Sequence, residues 1–219
     1  MPLTARDWLS RPGVYQAFLN LIGAKKICAR YVADYIRPQQ GASILDLGCG
    51  TGHILGYLPH VRYVGLDIDP ACITVARHRY AHRGTFICGD AVHGMADVRG
   101  PVDIVMANGL LHHLEDPKVL ELLQRVRAAL APMGRLVTLD GCYTATQSRI
   151  ARYLLTKDRG SFVRTEDQYV DLARRVFACV RTHVHDDLLR IPYTHIVMDC
   201  WTHPSEGTSR GTEGHAETS

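Results

Sequence analysis

Ile44-Leu45-Asp46-Leu47-Gly48-Cys49-Gly50-Thr51-Gly52 is the stretch on which the reading of this chain turns. The run from Ser43 to Leu47 is short and apolar, as a buried strand is, and a glycine cluster follows at once. Glycines placed there let the backbone turn tightly and come close to a ligand. The GxGxG spacing alone is shared by dinucleotide-binding proteins. Asp46 separates the two possibilities, because a carboxylate two residues before Gly48 suits a cationic group and repels a pyrophosphate.

Outward from this turn, strands and helices alternate. Residues 61–66 (VRYVGL) read as a second strand, which Asp67 ends. Asp69-Pro70 is an N-cap followed by proline at the first helical position, and the helix it opens runs to about Arg83, before Gly84. Residues 85–88 and 102–107 are a third and a fourth strand. Asp116-Pro117 repeats the cap signal ahead of a helix over 118–130, and 135–139 (RLVTL) is a fifth strand. This alternation implies βαβ units and a largely parallel sheet, with ligands at its carboxyl edge. On the far side, Ala17, Leu21, Cys28, Val32 and Ile36 recur near helical spacing until Pro38 and Gly41. After Gly141 the pattern loosens: a basic helical stretch over 146–156, a T-x-x-Q capping box at Thr165–Gln168, then strand-like runs at 178–185 and 191–201 that would form a hairpin and give the sheet an antiparallel edge. The division expected is a helical cap over residues 1–40, the alternating domain over 41–201 with an insertion at about 143–176, and a disordered tail over 202–219, whose Ser, Thr, Gly and Glu cannot bury enough surface to order themselves.

Composition narrows the field further. With 46% apolar and 21% charged residues the 219-residue chain has an ordinary globular composition, and a net charge of +3 gives no argument for nucleic acid or membrane. The seven cysteines are odd in number and none is in CxxC spacing, so neither a zinc site nor a disulfide framework is expected and no metal is assigned. The opening residues lack the apolar core of a signal peptide, and no apolar run is long enough for a bilayer, so a cytoplasmic location is expected.

Three carboxylates in sequence order carry the chemistry. Asp46 stands near the end of the first strand, two residues before Gly48. Asp67 stands about 20 residues beyond the first glycine, where an acidic residue accepts from ribose hydroxyls in folds of this type. Ile68 beside it would lie on an adenine face. Asp90, with Ala91, follows the third strand, where a carboxylate and an amide can read an adenine edge.

The order of these segments resembles the class I S-adenosylmethionine (SAM) dependent methyltransferase superfamily, in its small-molecule branch of type 11 or type 12. The likeness covers about residues 43–141, and extends through the fourth segment, Asp103-Ile-Val-Met-Ala-Asn-Gly-Leu-Leu-His-His-Leu, to the turn Leu130-Ala-Pro-Met-Gly-Arg-Leu, where Met133 stands in place of the family's more frequent second glycine. It implies a Rossmann-like three-layer α/β sandwich with a seven-stranded, mostly parallel sheet and an antiparallel last strand. It also implies SAM as cofactor, with S-adenosylhomocysteine (SAH) as product, on Asp46, Gly48, Gly50, Asp67, Ile68, Asp90, Ala91 and Asn108. The sulfonium is already an activated donor, so the protein must chiefly align donor and acceptor. His112 and His113 follow the fourth strand at the edge where the methyl would emerge. The Leu-His-His pattern is similar to that of sugar and natural-product O-methyltransferases, in which a His here is the base. His113 is the first choice, with His112 next and Asp140 as the orienting partner.

The acceptor is reached by exclusion. No Asn-Pro-Pro-Tyr or Asp-Pro-Pro-Tyr follows the fourth strand, no acidic pair stands there, and no basic patch is interleaved with aromatics, which leaves a small molecule and no nucleic acid or membrane partner. The lid expected over it combines N-terminal helices carrying Trp8, Tyr15 and Phe18 with residues 143–164, including Arg152, and Tyr193 from the strand-like run after it. Arg149, Arg152, Lys157, Arg159 and Arg164 read as a solvated basic face or as the contacts of an anionic acceptor. His183 and His185 share a strand face and read as surface residues. Two alternatives stand beside O-methylation: N-, C- or S-methylation by proximity without a base, and a non-catalytic SAM- or nucleotide-binding module. An NAD-linked oxidoreductase is disfavoured by Asp46. The oligomeric state is not legible.

Overall fold

A computed structural model describes residues 23–98, 100–158 and 160–203. Residues 1–22 of the expected cap, with Trp8, Tyr15 and Phe18, the tail beyond His203, Arg99 and Arg159 lie outside the described residues. Among the described residues the first helix, α1 (Ala24–Arg30), continues directly as a π-helical turn over Tyr31–Ile36, and Arg37, at φ 36°, ends it before Pro38. Then come β1 (Ser43–Leu47), β2 (Arg62–Asp67), α2 (Pro70–Tyr80), β3 (Gly84–Cys88), β4 (Val102–Asn108), α3 (Asp116–Ala129), β5 (Leu130–Tyr143), α4 (Arg149–Thr156), β6 (Arg164–Thr165), α5 (Glu166–Arg174), β7 (Cys179–His185) and β8 (His195–Trp201). Short 3-10 turns follow β1, β3 and β4.

The sheet runs β3-β2-β1-β4-β5-β8-β7, with the two-residue β6 alongside β5. Pairings from β3 to β5 are parallel, and β8 is antiparallel to both β5 and β7. The late hairpin therefore does not place its antiparallel strand at the edge: β8 inserts between β5 and β7, and β7 takes the edge. The residues of β8 explain the order. His195–Cys200 are all buried, as a central strand requires, whereas β7 alternates with exposed positions.

Each face of the sheet packs helices. Leu45, Leu47, Val105, Leu136 and Ile196 meet Val119, Leu122 and Val126 of α3 and Tyr169 and Leu172 of α5. On the other face Ile44, Tyr63, Val137 and Val197 meet Tyr31, Val32 and Ile36 with Ile73 and Ala76 of α2. The capping signals at Asp69 and Thr165 act as expected: Asp69 accepts from the Ala71 amide, and Thr165 and Gln168 close a capping box. The signal at Asp116 does not. Glu115 is the N-cap without a side-chain bond, and Asp116 is the first helical residue, engaged instead by Arg164. The turn expected before the fifth strand lies within β5, as a bulge where pairing slips from Val102–Leu130 to Ile104–Arg135, with Met133 86% exposed.

Arg135 ties the two ends of this framework. Its guanidinium is 2.7 Å from Asp199 of β8 and donates to the carbonyls of Tyr35 and Ile36, closing the π turn that leads into the sheet. Both side chains are largely buried, so the Arg135→Ala variant leaves the Asp199 carboxylate and two helix-end carbonyls without their donor. We expect a loss of about 3–5 kcal/mol in chemical denaturation, with Arg135→Lys recovering part of it.

Candidate active site

The carboxyl ends of β1, β2, β3 and β5 each present an aspartate. After β1, Gly48, Gly50 and Gly52 all adopt positive φ, at 72°, 53° and 68°, which bends the chain back over the end of β2. The amides of Gly48 and Cys49 both donate to the Leu66 carbonyl, and the Gly50 amide donates to Asp67 Oδ2 at 2.7 Å. Asp67 Oδ1 accepts from the Asp69 amide. Asp67, the sequence candidate for sugar hydroxyls, thus clamps the glycine turn through both of its oxygens. Ile68 next to it is 71% exposed, an apolar side chain held in the open.

Asp46 is buried, and Tyr63 donates its hydroxyl to Oδ2 at 2.6 Å. Oδ1 has no partner, and Asn108 Oδ1 at the end of the neighbouring β4 has none either. Burial pushes the Asp46 carboxyl up to about 7, against the bond from Tyr63, and the charge of Asp67 adds to the rise. Two orphaned oxygens on adjacent strand ends are an acceptor pair ready for a cationic donor. Asp90 Oδ1 accepts from the amides of Val92 and His93 and pairs with His93 Nδ1, and these bonds outweigh partial burial to hold it below the usual carboxylate range. Ala91 is half-buried beside it.

At the end of β5 the structure pairs Asp140 with His112, not with His113. Asp140 Oδ1 accepts from the His112 amide at 3.2 Å and from Nδ1 at 2.7 Å, while Oδ2 has no partner. The short 3-10 turn Leu111–His113 decides the choice: it carries the His112 side chain inward, to 5% exposure, and leaves His113 on the surface with its ring 4.4 Å from that of His112.

No motif marks Asp158, which lies just past α4 and approaches His112 from the other side. Its Oδ1 is 3.4 Å from His112 Nε2, and Tyr193 donates its hydroxyl to Oδ2. Burial lowers the His112 pKa, but its bonds to the two carboxylates outweigh this and raise it to about 9. Asp158 is correspondingly held well below its usual range, despite burial. His195, its ring tilted against that of Tyr193 at 4.6 Å, is lowered to about 4 by burial and by the His185 and His112 charges, and its Nδ1 has no partner.

Several candidates fall elsewhere. Arg164 is not part of a basic face: it is buried and makes five hydrogen bonds, to Asp116 and to the carbonyls of Leu111, Leu114 and Phe162. Arg152 is exposed, 5.5 Å over the Tyr143 ring. His185 is half-buried and bonded to Tyr35 at 2.5 Å, so of the pair only His183 is a surface residue. Among the described residues no group of three or more His, Cys, Asp or Glu is arranged to hold a metal ion, and no helix is long and apolar enough to cross a membrane. A cleft of about 320 Å³ lined by Tyr143, Leu155, Asp158, Gly160, Ser161 and Val163 opens beside the His112 cluster. A cleft of about 350 Å³ at the opposite, amino edge of β2 and β3 is far from these groups, and we place the site at the first.

Residues 44–134 match the model of the family described as "Methyltransferase domain". The chain is 30% identical over 132 residues to the ribosomal protein L11 methyltransferase of Burkholderia mallei, which covers 58% of this chain and 40% of that protein. Among solved structures, the pyocyanin biosynthetic protein PhzM superposes with a TM-score of 0.67 at 24% identity, over 89% of this chain and 61% of that one. The mitomycin 7-O-methyltransferase MmcR superposes with a TM-score of 0.63 at 20% identity, over 88% and 58%. At these identities the structural likeness is one of fold. The chain spans between 25% and 58% of the length of its sequence relatives. Over residues 44–134 the chain is thus similar to the methyltransferase domain family, and its strand order and the glycine turn clamped by Asp67 form the Rossmann-like fold that its structural neighbours share.

Proposed function

We propose that this chain is a SAM-dependent methyltransferase that methylates an oxygen of a small-molecule acceptor, with His112 as the residue that takes the acceptor's proton and Asp140 as the group that orients it. The observation that carries this reading is the buried His112–Asp140 pair on the same strand edge as the orphaned oxygens of Asp46 and Asn108. The fold neighbour described as a mitomycin 7-O-methyltransferase supports an oxygen acceptor.

Bound SAM supplies an electrophilic methyl on a sulfonium, which needs no activation by the protein. Asp46 and Asn108 would receive the ammonium of its methionine part, Asp67 the ribose hydroxyls, and Ile68 with Asp90 and Ala91 the adenine. Asp140 fixes the His112 ring through Nδ1, which leaves Nε2 to face the acceptor. A hydroxyl becomes a competent nucleophile only as its proton leaves, and this is the task of Nε2. His113, on the surface, has no role in this step, and methylation by proximity alone would need neither histidine.

Two measurements test the assignment. SAM binding followed by calorimetry should strengthen as pH rises through about 7, because Asp46 must be ionised to meet an ammonium. Asp46→Asn should remove that dependence and cost about tenfold or more in affinity. No SAM binding at any pH would sink the cofactor reading.

The second is turnover, followed as SAH release from a panel of small hydroxyl and carboxyl compounds. His112→Ala should lower kcat by about 10²–10⁴-fold and His113→Ala should retain most of it. His112 in the free protein carries its proton below about 9, so kcat/KM should rise with pH up to that value. A His112→Ala protein with full turnover and an unchanged profile would make an acceptor that needs no base the better reading.

A further inference from the structure

Neither cofactor binding nor proton removal calls for Asp158, yet three donors converge on its carboxylate. Tyr193 donates its hydroxyl, the Gly160 amide donates at 3.2 Å, and His112 Nε2 lies at 3.4 Å. Two glycines clear the ground for this arrangement. A Cβ at Gly141 would stand 2.6 Å from the Tyr193 hydroxyl, and a Cβ at Gly160 would fall onto the His112 imidazole. The Phe162 amide donates to the His112 carbonyl at 2.9 Å, which seats the same turn against the 3-10 segment. Asp158 also lines the cleft of about 320 Å³, as does Gly160, whose position abuts the His112 imidazole.

We propose that the Asp158 carboxylate is a stand-in for the acceptor: in the empty protein it fills an oxygen-binding subsite made by His112 Nε2 and the Tyr193 hydroxyl, and the acceptor's oxygen takes that place by displacing it. The inference rests on the methyltransferase reading and deepens it. With Asp158 seated, the ring lies between two carboxylates, and Nε2, protonated toward Asp158, cannot accept another proton. Displacement by a neutral oxygen leaves Asp140 from β5 as the one carboxylate bonded to the ring. Tyr193 and His195, from the approach to and the start of β8, and His113 on the same turn complete its surroundings, and none of these adds a negative charge at neutral pH. His112 can then release its proton and serve as the base. The subsite selects for an acceptor that offers an oxygen, because a group that cannot accept a hydrogen bond leaves the Tyr193 hydroxyl buried without a partner. A carboxylate matches the occupant it replaces, so benzoate is a suitable probe.

The test measures benzoate binding by calorimetry in the presence of SAH. Removing the internal competitor in Asp158→Ala should tighten benzoate by about tenfold or more. Gly160→Ala should do the same by lifting the turn from the imidazole, and adding Tyr193→Phe to Asp158→Ala should abolish the gain. In Asp158→Asn, which keeps the shape of the side chain, the His112 titration followed by NMR should move down. Benzoate binding no tighter in Asp158→Ala than in the parent protein, or a His112 titration unmoved in Asp158→Asn, would make Asp158 a structural contact and overturn the proposal. SAM affinity measured on the same proteins separates the two levels. Retained SAM binding with no gain for benzoate sinks the stand-in alone, and a parent protein that binds no SAM sinks the methyltransferase reading with it.

Discussion

Four carboxylates gather at one edge of a single sheet, and the electrostatics of that gathering constrain everything near it. Asp46, Asp67, Asp90 and Asp140 end β1, β2, β3 and β5, or stand just past them, with neighbouring strands about 5 Å apart. Left unpaired, such charges repel one another. Each has a different remedy. Tyr63 gives Asp46 a hydroxyl, amides of Gly50 and Asp69 hold Asp67, amides of Val92 and His93 hold Asp90, and His112 neutralises Asp140. The remedies are partial. Asp46 and Asp140 each keep a buried oxygen without a donor. An edge built this way is incomplete until a cation and a set of donors arrive, which is the electrostatic character of SAM.

The two halves of the edge differ in how they are fixed. The cofactor half is backbone: the glycine turn is closed by amides on the Leu66 carbonyl and on Asp67, with no long side chain involved. Its geometry therefore follows from strand order. The proposed acceptor half is made of side chains, with His112, Asp158 and Tyr193 reaching in from three separate segments. Their arrangement depends on the glycines at 141 and 160 standing where any side chain would collide.

This difference explains what could be read in the sequence. The strand ends, the caps at Asp69 and Thr165, and the order of the acidic residues are local patterns, and the fold places them as their spacing implies. The position of β8 inside the sheet was not legible as such, because a hairpin's periodicity does not say which of its strands pairs with β5. The choice between His112 and His113 rests on a single 3-10 turn, too short to leave a periodic trace. Asp158 sits in a stretch with no motif, and its one signal, a glycine two residues on, resembles any other turn. Arg164 reads as one cation among several, because a run of basic residues says nothing of which one the Asp116 carboxylate and three carbonyls will capture.

Arg164 then sets the limits on how the acceptor half can move. Its five hydrogen bonds fix the re-entry of the chain onto the turn after β4 and the first residue of α3, and it stacks 5.6 Å over Tyr169. At the other end, α4 is anchored by buried Ala151 and Leu155. Asp158 therefore lies on a short span between two fixed points. A span of this length can release a carboxylate from an imidazole by a local change in backbone dihedrals, without disturbing β5 or α5. Moving Asp158 need not move Asp140, because Asp140 belongs to the sheet and Asp158 to the span. The His112 ring is held from both sides by carboxylates, Asp140 at Nδ1 and Asp158 at Nε2, and in the exchange proposed above only Asp158 moves.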